Sequence, residues 1–351
     1  MNIKRKIVLF VVTAVMMVFL CISTSVKASS NIVDFSVQAK IPENQRDQRK
    51  SYFDLKMEPG QVQVVEIEVF NNNRTKIETF IADVTFATTN DNGLIDYSPK
   101  SIKKADKSLK YPIIGLVNEP HKEIVIPPGK SKTITFTFKM PNQKFNGVLL
   151  GAIHFKKKID KIETKKQLDP IQINNQYAYV IGVKLTETMK KVDPELQLLR
   201  IKPKLVNYHT AIAVNIQNSE STIVQGMKIS ATIFKNGSNK SLYSSNNTGL
   251  SMAPNSNFDY AIDLKNNQIH PGTYRLQMKA IIGEQIWEWD EVFKIGKEAH
   301  ELNEKAVEVK QNYFWLYFII VILLTSFIWI LFSSLQRKRR KKRVRSDKYN
   351  P

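Results

Sequence analysis

Residues Thr133-Ile-Thr-Phe-Thr-Phe-Lys-Met140 alternate polar and apolar without a break, placing Ile134, Phe136, Phe138 and Met140 on one side of an extended chain. Successive side chains of a β-strand point to opposite faces, so a period of two commits this segment to a half-buried strand. Residues 62–70, 212–216, 228–234, 260–264 and 274–280 behave similarly. Turn signals stand between them: Pro59-Gly60, Asn92-Gly93, Pro128-Gly129, Asn236-Gly237 and Pro271-Gly272. Proline presets φ and glycine accepts positive φ, so Pro-Gly fits the centre of a type II turn. Short strands with one hydrophobic face each predict an all-β chain made of two tandem immunoglobulin-like β-sandwiches. A polar helical period begins only near residue 300 and reads as a stalk over 298–312.

Residues 145–155 and 177–185 both read as buried strands, separated by a polar stretch holding six lysines from Lys156 to Lys166. Taken as one hairpin with a long loop, they bound a first domain at 31–190 and a second at 191–297. The competing cut lies inside that loop, near 160.

The two ends of the chain are apolar. Residues 313–335 form an uncharged run with 15 Leu, Ile, Val or Phe residues. At about 1.5 Å per residue such a helix reaches roughly 35 Å, enough for a hydrocarbon core of about 30 Å. Nine Lys or Arg in the last 16 residues, 336–351, fix the C-terminus in the cytoplasm. Tyr313, Trp315 and Tyr317 fall where an outer aromatic belt would lie. At the N-terminus, Lys4, Arg5 and Lys6 precede the apolar stretch 7–22, and Val26-Lys27-Ala28 offers small residues for cleavage. That pattern predicts a signal peptide over 1–28, with an uncleaved anchor as the alternative. The expected topology is single-pass type I, with the intervening residues outside the cell.

Cys21 is the only cysteine, and Leu20 before it does not fit a lipoprotein box. The exported part therefore has no disulfides, unlike many small secreted domains, and reads as a Gram-positive surface protein. The net charge of +20 is uneven. The tail carries nine basic residues against one acidic, and the signal region holds four lysines or arginines, which leaves about +8 for residues 28–336. That mild excess attracts anionic wall polymers and does not imply nucleic acid.

Catalysis finds no support. His121, His154, His209, His270 and His300 are scattered, without a His-Glu-x-x-His helix or a Gly-x-Ser-x-Gly elbow. The stretch 88–96 falls short of a calcium loop, because its first and twelfth positions are Thr88 and Pro99; a hairpin turn is expected. No cofactor or metal is expected. Gly147 and Gly151 read as marks of bulges or of tight strand packing rather than of a ligand site. The five lysines from Lys100 to Lys110 form a basic loop, either simply solvated or in contact with anionic polymers.

Several motifs together carry a resemblance. Tyr52-Phe53-Asp54-Leu55-Lys56-Met57-Glu58-Pro59-Gly60-Gln61 leads into a strand. Then come Ala87-Thr88-Thr89-Asn90-Asp91-Asn92-Gly93, Met140-Pro141, Phe145-Asn146-Gly147 with Gly151, and Tyr177-Ala-Tyr-Val-Ile-Gly182. In this order the chain resembles the WxL-interacting proteins of Gram-positive bacteria. The resemblance implies a membrane-anchored surface protein whose first domain binds peptidoglycan and whose second binds host proteins or WxL-domain proteins. It makes Tyr52, Phe53, Asp54, Gln61, Asn90 and Asn92 the peptidoglycan-binding candidates. From the residues alone, Tyr52 to Asp54 and Gln61 fit two readings: a saccharide groove, where sugar rings pack on aromatic faces, or a strand end and a turn with one aromatic in the core. Trp287 and Trp289 project to one side of a strand, as interface anchors or as core. The expected function is a non-enzymatic adaptor. A wall-modifying hydrolase and a binder of anionic wall polymers are the alternatives, and a 16-residue tail holds no signalling domain.

Overall fold

A computed structural model describes residues 35–99, 105–158, 177–307, 319–327 and 329–330. The first unit contains β1 (Phe35–Lys40), β2 (Phe53–Lys56), β3 (Val62–Asn71), β4 (Glu78–Phe86), β5 (Thr88–Thr89) and β6 (Ile95–Asp96). It continues with β7 (His121–Ile126), β8 (Ser131–Lys139), β9 (Leu149–Lys157) and β10 (Ala178–Thr186). Three strands form one sheet in the order β1-β3-β8, and five form another in the order β2-β10-β9-β4-β7. The inward side chains of both sheets share one core, with Ile67, Phe136 and Phe138 meeting Phe53, Phe80, Phe155 and Val183.

The alternation in β8 sets its register. Ile134 stands opposite Ile67 and Phe136 opposite Val65, while Thr133, Thr135 and Thr137 take the exposed face. A slip by one residue would send three large apolar side chains into water. At roughly 1.5–3 kcal/mol for each fully buried side chain of this size, that error is prohibitive.

β9 and β10 pair antiparallel as one hairpin; most of the lysine-rich loop between them lies outside the described residues. β10 also holds β2, the only parallel pair among the described strands. The free edge of β2 is plugged by Gln45, whose amide donates to the Tyr52 carbonyl at 2.7 Å and accepts from the Asp54 N–H at 2.8 Å. An edge closed in this way cannot template a further strand.

The second unit contains β11 (Leu196–Val206), β12 (His209–Asn218), β13 (Val224–Lys235), β14 (Ser241–Met252), β15 (Ser256–Asp263), β16 (Gly272–Ile282) and β17 (Gln285–Ile295). Its sheets run β11-β12-β15 and β14-β13-β16-β17, around a core that includes Val214, Ile216, Ile229, Ile233, Leu276 and Met278. β11 and β12 join through Asn207 and Tyr208, both at positive φ, the backbone of a type I′ hairpin. The polar stretch 236–257 contains the twelve-residue β14, which no hydrophobic period announces. Its Ser245 and Asn247 side chains bond the Tyr260 hydroxyl at 2.9 and 2.7 Å, so polar residues are drawn into the sheet by a partner that composition alone does not reveal.

The expected stalk begins with helix α1 (Glu298–Lys305). Ala299 and Leu302 pack on the second core, and Asn303 bonds both the N–H and the carbonyl of Ile269 at 2.8 Å. Among the described residues no helix is long and apolar enough to cross a membrane. The run 313–335 lies mostly outside them; residues 319–327 and 329–330 are helical and exposed. The signal region, the basic tail and the expected aromatic belt at Tyr313, Trp315 and Tyr317 also fall outside.

Candidate functional site

The Tyr52–Asp54 motif straddles the start of β2, where alternation sends Phe53 inward and its neighbours outward. Phe53 is fully buried in the first core and presents nothing to a ligand. Asp54 is also buried, held by Lys184 at 3.3 Å, Lys50 at 3.4 Å and Arg46 at 3.9 Å. A carboxylate taken out of water needs such partners, and this one ties the edge strand to β10 and to the preceding turn. Its Oδ1 has no hydrogen-bond partner. Tyr52 lies over the bare backbone of Gly182, with ring atoms 3.8 Å from where a Cβ would stand. Lys50 sits 5.3 Å from the Tyr52 ring centre.

Gln61 closes a turn. Its side-chain oxygen accepts from the Glu58 N–H at 2.7 Å, and Gly60 has φ +71°, as the type II reading of Pro59-Gly60 requires. Asn90 also serves a turn, accepting from the N–H groups of Asn92 and Leu94 at 3.0 and 3.2 Å. Asn92 is exposed at the tip. Of the six residues, Phe53 and Asp54 are buried, Tyr52, Gln61 and Asn90 are half-buried, and Asn92 is exposed.

The motif around Asn90 has another role, one that sequence reasoning missed. The β5–β6 hairpin is a tenon inserted against the second unit. The Thr89 hydroxyl meets Ser256 Oγ at 2.6 Å, Ser256 Oγ donates to the Ala253 carbonyl at 2.8 Å, and the Ala253 N–H donates back to Thr89 Oγ1 at 3.0 Å. The Gly93 carbonyl accepts from the Ser251 N–H at 2.7 Å. A Cβ on Gly93 would come within 2.8 Å of Leu250. Asp91 and Asp259 share Lys204, at 2.5 and 3.1 Å.

Two further contacts complete the junction. Asp106 accepts from Gln217 at 2.7 Å and from Asn257. The Val148 N–H donates to the Ser221 carbonyl at 2.7 Å, next to Gly147, whose missing Cβ would stand 2.1 Å from that oxygen. Gly147 therefore marks close packing, here between the two units. Gly151 does the same within the first unit, where a Cβ would meet Ile113 and the Thr85 carbonyl at 2.2 Å.

Burial pushes the carboxyls of Asp106 and Asp259 upward, but their hydrogen bonds win. Asp106 is held below the usual range by Ser108, Asn257 and Gln217. Asp259 is held down by Asn215 and by Lys204, with Lys202 helping.

Trp287 and Trp289 share the inward side of β17 with Phe293 and Ile295. They pack against the second core, yet both remain half-exposed because β17 is the edge of its sheet. The opposite side of the strand exposes Ile286 and Val292 and carries Asp290. There Arg275 forks onto Asp290, its Nε at 2.6 Å, and holds that carboxyl down to about 2. Among the described residues no group of three or more His, Cys, Asp or Glu gathers to hold a metal.

Residues 35–157 match the family model of the WxL Interacting Protein, peptidoglycan binding domain. Residues 169–304 match that of the WxL Interacting Protein, host binding domain. The chain belongs to the WxL-interacting protein family. In this member the host-binding match starts upstream of β10, although β10 is hydrogen-bonded into the sheet of the first unit. Solved structures give only loose likenesses. One is a chain of a chaperone–tip adhesin complex of CFA/I fimbriae, at 10% identity over 72% of this chain and 97% of that one, with a TM-score of 0.29. Another is the class 5 fimbriae chaperone CfaA, at 13% identity over 69% and 96%, with a TM-score of 0.26. A third is the Pseudomonas aeruginosa CupB2 chaperone, at 12% over 69% and 97%, with a TM-score of 0.24. Scores this low carry no argument. A comparison with curated proteins returns no match.

Proposed function

We propose that this chain is a non-enzymatic adaptor of the Gram-positive cell surface. It is anchored by a single membrane helix over 313–335, grips peptidoglycan through its first unit, and presents its second unit to a WxL-domain protein or a host protein. The observation that carries this reading is the tandem of two binding-domain family matches, one on each unit. The two-sheet architecture of each unit is consistent with immunoglobulin-like sandwiches. The signal region, the uncharged run and the basic tail support type I topology, with both units facing the wall.

Separate ligands on separate units give a direct test. The full-length protein coupled to beads is expected to retain a WxL-domain protein from the same surface, and soluble peptidoglycan fragments should not displace it. Displacement by those fragments would contradict the division of labour. For the anchor, protease added to intact protoplasts should digest both units and spare a tag placed after Pro351; loss of the tag from outside would overturn the topology.

A further inference from the structure

The junction occupies the β5–β6 hairpin, Asp106 and the Gly147–Val148 turn, which leaves the outer faces of both sheets in the first unit uncovered by the second. The two faces differ. The three-stranded sheet turns Thr133, Thr135, Thr137, Glu66 and Lys40 outward, between Val64 on one side and Phe70 on the other. The five-stranded sheet carries one cross-strand row in which Val180 stands beside His154, His154 beside Asp83, and Asp83 beside His121. With strands about 4.8 Å apart, this row runs roughly 14 Å across the sheet. The next row along holds only small side chains, Gly182 beside Ala152 and Ala152 beside Thr85, and it is covered, with Ala152 and Thr85 both buried.

Rings and polar groups stand over and beside this row. Tyr52 lies on Gly182, and Tyr97 is next to it: burial raises the Tyr97 pKa, and the Tyr52 hydroxyl nearby adds to the effect. The Tyr97 backbone carbonyl is fixed over the sheet by the Thr85 hydroxyl at 2.9 Å. His121 donates from Nδ1 to Asp83 at 2.6 Å, and Lys156 approaches the same carboxylate at 3.9 Å. His154 Nδ1 is buried with no partner among the protein atoms. Burial holds this imidazole below its usual pKa, Lys156 adds to that, and Asp83 opposes it. Val180 is exposed on the same face.

We propose that a glycan strand of peptidoglycan lies on the outer face of this five-stranded sheet, along Tyr52, Val180, His154, Asp83 and His121. The inference rests on the reading of the first unit as peptidoglycan-binding and names the surface that does it. A sugar ring presents an apolar face and an equatorial belt of hydroxyl and amide groups. Tyr52 and Val180 match the apolar face. His154, Asp83 and His121 supply donors and acceptors in a line.

The test pellets the full-length protein, in detergent, with peptidoglycan stripped of teichoic acids and, in parallel, with untreated walls. Tyr52→Ala, His154→Ala and Val180→Glu are compared with Thr135→Ala on the other sheet, with melting temperatures measured throughout. Val180→Glu keeps the proposal testable if either of the other two fails to fold, because Val180 is exposed. Each face variant is expected to weaken binding to stripped peptidoglycan about tenfold, the loss of one good contact, while Thr135→Ala binds like the wild type. If the wild type binds and folded face variants bind equally well, this site is overturned while the domain-level reading stands. Wild type that ignores both preparations overturns the domain-level reading itself. Binding confined to untreated walls makes an anionic polymer the ligand and overturns the glycan as occupant.

Discussion

Gly147 and Trp289 mark the limits of reading single residues from sequence. Pattern alone flags Gly147 as a bulge or a place of tight strand packing. What it packs against is a carbonyl 74 positions away, which no local signal contains. At φ +96°, with a Cβ site 2.1 Å from the Ser221 oxygen, Gly147→Ala forces the units apart or strains the backbone. The expected cost is about 1–3 kcal/mol, read as a lower melting temperature and as faster proteolysis at the junction. The tryptophans left core and interface equally open, and the structure places them between those readings, half-exposed at a sheet edge. Trp289→Ala is therefore expected to cost about 2 kcal/mol, less than the roughly 3–5 kcal/mol of a fully buried aromatic. A denaturant titration decides. A loss above about 4 kcal/mol would make Trp289 plain core, and a loss near zero would make it a free surface anchor. In the Tyr52–Asp54 motif the sequence left open which aromatic enters the core, and the structure buries Phe53 there with Asp54 beside it.

Most strands were legible because their alternation is strong: β3, β8, β13 and β16 stand where the sequence places them, within a few residues. β14 was not, because its residues are Ser, Asn, Thr and Gly and its order comes from β13 and Tyr260. The β5–β6 hairpin was legible as a turn but not as a tenon, since two-residue strands carry no period. Its closed ring of three hydrogen bonds predicts that Thr89→Val, nearly isosteric, leaves Ser256 and the Ala253 N–H short of a partner and costs about 1–3 kcal/mol. Equal stability of the variant would show the ring to be dispensable. The junction also responds to acid. Asp106 and Asp259 titrate lower in the folded chain than in the unfolded one. Their contribution is therefore complete above the ordinary carboxyl value of about 4 and is lost as pH falls through the lower folded values. The melting temperature should drop below about pH 4, and Asp106→Asn should show a shallower drop. An identical acid limb in that variant would remove Asp106 from the account.

Across the whole molecule, the contacts at the β5–β6 hairpin, Asp106 and Val148 join the two units, and they involve several of the motifs by which the family resemblance was first legible. Those motifs therefore report how the units are held, and only in part what they hold. An adaptor gains from this arrangement, because a fixed angle at the wall presents the second unit in one direction. The central claim is that the first unit recognises the wall glycan itself. It is tested most directly by pelleting the full-length protein with purified, teichoic-acid-free peptidoglycan at about 0.15 M and about 1 M salt, where exposed charges are screened over about 8 Å and about 3 Å. The account predicts that the protein pellets at both ionic strengths. Protein that stays in the supernatant, or that is released at high salt, would contradict it.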